Sequence, residues 1–130
     1  MNSIIFSRVR NFFLAASAMA VLSACGTMGD TGAVKKANEL AIACETDQAL
    51  KAVDRAARGG GLGAQIADLQ RVVILRDAGR MSEAAAAMAE RNARAGADAE
   101  AAAEAERAVS ESLEDLRAER QKRTGRRSCP

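Results

Sequence analysis

Apolar positions follow three regimes along this chain. From Phe12 to Leu22 the residues are apolar or small without interruption, about the length of a secretory h-region and too short to span a bilayer as a mature helix. Residues 25–32 are small, polar and glycine-rich, the composition of a flexible tether. From Ala33 onward apolar residues recur every three or four positions, the period of amphipathic helices. A first helix over 33–45 places Val34, Ala37, Leu40, Ala41 and Cys44 on one face. A second, capped by Thr46, turns Ala49, Leu50, Val53, Ala56 and Ala57 inward until Gly59-Gly60-Gly61 stops it. The third, over 62–77, carries Leu62, Ile66, Leu69, Val72, Val73 and Leu75 and is expected to be the centre of the core. A fourth opens at Ser82-Glu83-Ala84 and closes near Gly96, and a long fifth covers 97–122. Residues 123–130 read as a disordered basic tail. The expected fold class is all-α: a signal helix, then two antiparallel helical hairpins over 33–96 and the long C-terminal helix.

Composition sharpens this picture. Trp, Tyr and His are absent, and the three Phe are Phe6, Phe12 and Phe13, so the body has an aliphatic, Ala-dominated core. Ala has the highest helix propensity and buries little area per residue. Pro occurs only at Pro130, so ring geometry breaks no helix before it. The fifth helix is lopsided in charge. Acids dominate from Asp98 to Asp115 and bases from Arg117 to Arg127, an order that complements the helix macrodipole. The basic end reads as a solvated helix terminus, with contact to anionic lipid or polymer as the alternative.

The apolar run ends in Leu22-Ser23-Ala24-Cys25 and is preceded by Arg8 and Arg10. Basic n-region, h-region, small residues and Cys in that order resemble the lipobox of bacterial lipoproteins. That resemblance implies cleavage between Ala24 and Cys25, a diacylglyceryl group on the Cys25 thiol and an acyl chain on its new amino group, with no other cofactor. It also implies an envelope protein held by a lipid anchor. Gly26 in the second mature position, where Asp favours inner-membrane retention in enteric lipoproteins, points to the periplasmic face of the outer membrane. Loss of residues 1–24 removes two bases from a total of 19 and no acid from 17, so the mature chain is neutral. Overall basicity therefore gives no argument for a nucleic-acid partner. Cys44 and Cys129 remain for disulfide chemistry in an oxidising compartment. An intramolecular bridge, an intermolecular bridge through Cys129, and two free thiols all remain open.

The two hairpins can be overlaid at an offset of 35 residues, Leu40 on Leu75, Cys44 on Gly79, Ala49 on Ala84 and Val53 on Met88. Over residues 33–95 this resembles tetratricopeptide repeats, whose period is 34. The usual aromatic positions hold Leu75 and Met88, and Cys44 stands where Gly is usual. The resemblance implies a protein-interaction module, an adaptor that holds a peptide or helix of an envelope protein. Asp68, Arg71 and Arg76 are its candidate outward contacts. A structural or stress-type envelope lipoprotein is the alternative.

Catalysis is disfavoured. Without His, Ser-His and Cys-His systems and His-containing metal sites are excluded. The glycine cluster at 59–61 lacks the Lys-Ser or Lys-Thr of a phosphate loop and reads as a turn. No metal ligand set and no catalytic group is expected.

Overall fold

Two turns of the same construction set the architecture. At the end of the first helix the Cys44 N–H donates to the Ala41 carbonyl at 3.0 Å and the Glu45 N–H to that of Leu40 at 2.8 Å. At the end of the third, Gly79 donates to Arg76 at 3.0 Å and Arg80 to Leu75 at 2.8 Å. Both are Schellman closures, which satisfy last-turn carbonyls by placing one residue in the left-handed region. That residue is Gly79 at φ 72° in one turn and Cys44 at φ 64° in the other. Each reversal is followed at once by a new helix, with Glu45 and Arg80 as N-caps of near-equal backbone angles.

The structure is a computed structural model that describes the backbone of residues 25–130 and the side chains of 32–130. Among the described residues the fold is all-helical: α1 Cys25–Ile42, α2 Thr46–Ala57, α3 Gly61–Asp77, α4 Met81–Ala95 and α5 Ala99–Thr124. Helices α1 and α2 form one hairpin, α3 and α4 a second, and α2 packs on α3. Helix α5 lies across α3 and α1. None of these helices is long and apolar enough to cross a membrane. The signal segment 1–24 lies outside the described residues.

The interior divides in two. Ala37, Ala41, Ala49, Ala52, Ala56 and Ala67 pack around Val53, Ile74 and Leu116 between α1, α2, α3 and α5. Val72, Val73, Leu75, Met88 and Val109 form the second cluster between α3, α4 and α5. Small side chains let the α1–α2 pair approach closely. The larger ones fill the space under the crossing helix.

Four expectations change. Helix α1 starts at Cys25, so residues 25–32 continue the helix and do not form an open tether. No proline interrupts them, and each residue added to a packed helix gains a backbone bond without a new nucleation cost. The same helix ends at Ile42, which puts Cys44 in the turn and not on the helical face. Thr46 is not the cap of α2; Glu45 holds that position, without a side-chain cap bond. Leu62 and Ile66, expected at the centre of the core, are 71% and 41% exposed. The contact between Asp68 and Arg94, one residue from the end of α4, shows why. Helix α4 stops about where Asp68 stands, and the first two turns of α3 run on beyond it.

A Cβ added at Gly79 meets nothing within 4 Å, so its conformation alone decides the effect of substitution. Gly79→Ala should lower the unfolding free energy by about 1–2 kcal/mol, measured by urea denaturation. A neutral result would mean that the turn relaxes out of the left-handed region.

Candidate functional site

Where α5 reaches the ends of α1 and α3, Arg120 is 1% exposed. A guanidinium has five N–H groups in a fixed planar fork. All five are used. Nε donates to the Ile42 carbonyl at 3.3 Å, and Nη2 donates to the Ala41 carbonyl at 2.9 Å and to Asp77 Oδ2. Nη1 donates to Asp77 Oδ1 at 3.1 Å and to the Arg127 carbonyl at 3.0 Å. Arg117 also approaches Asp77, whose side chain is 6% exposed. One cation thus caps the carbonyl end of α1, neutralises the last residue of α3 and holds the chain beyond α5. Its position at two helix C-termini is also the favourable one for positive charge.

The chain beyond α5 is fixed as well. Gly125 closes the helix, Arg127 pairs with Glu114, and Cys129 is bonded to Cys44 with a Cα–Cα distance of 5.6 Å. The expected disorder of 123–130 is overturned for this reason. Arg123 bridges Glu39 of α1 and Glu119 of its own helix, each at 2.7 Å. Its hydrogen bond to Glu39, and then that to Glu119, raise its pKa, while Arg123 is the main cause that lowers the Glu119 carboxyl. The basic end of α5 is therefore an internal clasp. Of its cations, Arg126 alone has no carboxylate within 4.0 Å among the described side chains.

Asp68, Arg71 and Arg76 do not share one outward face. The Asp68 side chain is 16% exposed and held by Arg94 at 3.1 Å. Arg71 pairs with Asp54 across α2 and α3. These two line a cleft of about 210 Å³ between α2, α3 and α4. Arg76 turns toward α5, where it makes a two-pronged bond to Glu106 at 2.5 and 2.9 Å. That bond is the largest cause raising the Arg76 pKa and lowering that of Glu106. All three residues therefore tie helices together.

A second opening, of about 620 Å³, lies between α1, α3 and α5. Val34, Lys35, Asn38, Gln70, Asp115 and Leu116 are among its lining residues. Asn38 and Gln70 bond to each other across its floor at 3.3 Å. Its mixed lining has no aligned nucleophile, base or oxyanion donor. Among the described residues no cluster of three or more His, Cys, Asp or Glu is placed to hold a metal ion. Ala24 lies outside the described residues, and Cys25 is located only as the first residue of α1.

Sequence reasoning missed Arg120. It counted the residue among six exposed bases, and its one available signal was weak: Arg120 follows Leu113 and Leu116 at helical spacing on the apolar stripe of α5.

The chain matches no protein-family model, no curated protein and no solved structure.

Proposed function

We propose that this protein is a lipid-anchored lipoprotein of the bacterial cell envelope, whose helical body acts as a small protein-interaction module. The observation that carries the reading is the ordered series Arg8, Arg10, Phe12 to Leu22 and Leu22-Ser23-Ala24-Cys25. The described helical body begins at Cys25, where the mature chain would begin. A Cys44–Cys129 bond fits an exported protein, because disulfides persist in oxidising compartments. The paired turns at Cys44 and Gly79, 35 positions apart, support a repeat origin for the two hairpins. The outer membrane is the destination proposed from Gly26.

The internal use of Arg117, Arg120, Arg123 and Arg127 weighs against the alternative in which the basic end of α5 contacts lipid or cell wall. The test is metabolic labelling with a fatty-acid probe. The full chain should label and lose its signal, whereas Cys25→Ala should take up no label and accumulate as precursor. Undiminished labelling of Cys25→Ala would sink the proposal.

A further inference from the structure

One end of the helical body gathers the exposed apolar residues and a set of free cations. Helices α1 and α3 run in the same direction: Asn38 meets Gln70, and their C-terminal ends converge on Arg120. The start of α1, the α2–α3 turn and the start of α3 therefore lie at the end opposite the Arg120 clasp. Leu62 and Ile66 project there. They continue the stripe of α3 that includes Val73, which α5 covers only farther along.

The charges at this end differ from those at the clasp. Lys35, Lys36, Arg55 and Arg58 are exposed, and none has a carboxylate within 4.0 Å among residues whose side chains are described. The nearby acids are already neutralised, Asp54 by Arg71 and Asp68 by Arg94. Apolar side chains that insert shallowly, rimmed by lysine and arginine, are what an anionic bilayer surface holds.

Distance along the axes agrees. From the Asn38–Gln70 level the start of α1 is about 20 Å away and Leu62 about 12 Å, at 1.5 Å rise per residue. An anchor at Cys25 would thus bring Leu62 to within about 8 Å of the attachment level.

The geometry points to this end, Leu62 and Ile66 with Lys35, Lys36, Arg55 and Arg58, as a surface that docks the body flat against anionic lipid headgroups. The inference rests on the anchoring reading above. Docking in this orientation leaves the α2–α4 cleft and the clasp turned toward other proteins.

The test uses the full lipid-carrying chain in vesicles of phosphatidylcholine, with and without phosphatidylglycerol. An environment-sensitive fluorophore is attached at Leu62→Cys or, as the far-end control, at Ser82→Cys. With phosphatidylglycerol present, brominated lipid should quench the probe at 62 at least about fivefold more than at 82, and Arg58→Glu should reduce the docked population by about fivefold or more. Equal quenching at the two positions overturns the inference, as does a ratio indifferent to phosphatidylglycerol and to Arg58→Glu. A photoreactive residue at 62 that crosslinks only to protein also overturns it, in favour of a protein-binding end. If the chain carries no lipid, it is the anchoring reading that fails. The same ratio is then read on chain added to the vesicles, and equality there overturns the docking surface independently.

Discussion

Asp77→Ala is expected to lower the unfolding free energy by about 3–5 kcal/mol, far more than the loss of an exposed ion pair costs. The variant leaves Arg120 at 1% exposure with its charge uncompensated. Only the carbonyls of Ala41, Ile42 and Arg127 remain to accept its protons, with Arg117 as a second cation nearby. Removing one member of a buried pair is costly for that reason, whereas removing both is much cheaper because no charge stays behind. Asp77→Leu combined with Arg120→Met should therefore recover most of the loss. Urea denaturation followed by helical circular dichroism measures both variants. A loss below about 1 kcal/mol for Asp77→Ala would show that water reaches the guanidinium, and the clasp would then not hold as described.

The second large effect concerns the bridge. Cys129→Ser should cost about 2–4 kcal/mol, since the Cys44–Cys129 bond spans a sequence separation of 85 residues and restricts the unfolded chain accordingly. The two cysteines are not equivalent. Cys44 carries φ 64°, a conformation that costs an L-residue energy and glycine little. Cys44→Gly should thus be less damaging than Cys44→Ser by about 1 kcal/mol, although both abolish the bridge. Reduction of the unsubstituted protein by dithiothreitol should reproduce the Cys129→Ser midpoint. Equal stability of the Gly and Ser variants would mean that the turn is remade once the bridge is gone.

Both effects lie at the Arg120 clasp, and the sequence revealed little of it. Helical periodicity located the five helices because each buried face repeats at 3.6 residues whatever it packs against. It failed at Leu62 and Ile66, whose spacing is right but whose neighbours are missing: α4 stops near Asp68 and α5 crosses farther along. It failed again at Arg120, because an arginine on an apolar stripe reads as surface unless a carboxylate and three carbonyls converge on it. Those acceptors come from Ala41, Ile42, Asp77 and Arg127, remote in sequence and joined only by packing. The candidate contacts Asp68, Arg71 and Arg76 show the same limit. A helical wheel places residues around an axis without saying which other helix faces them.

The sequence by itself determined the helices, their turns, the Ala-rich interior and the pairing of Cys44 with Gly79 at a common offset, since all of these follow from local propensity and spacing. Tertiary structure alone decided which of the three fates open to Cys44 and Cys129 is realised, that the basic end of α5 is an internal clasp, and that the start of α3 is uncovered. The physical reason is the same in each case: burial and ion pairing depend on which elements meet, and α5 meets α1 and α3 across a separation that no local pattern encodes.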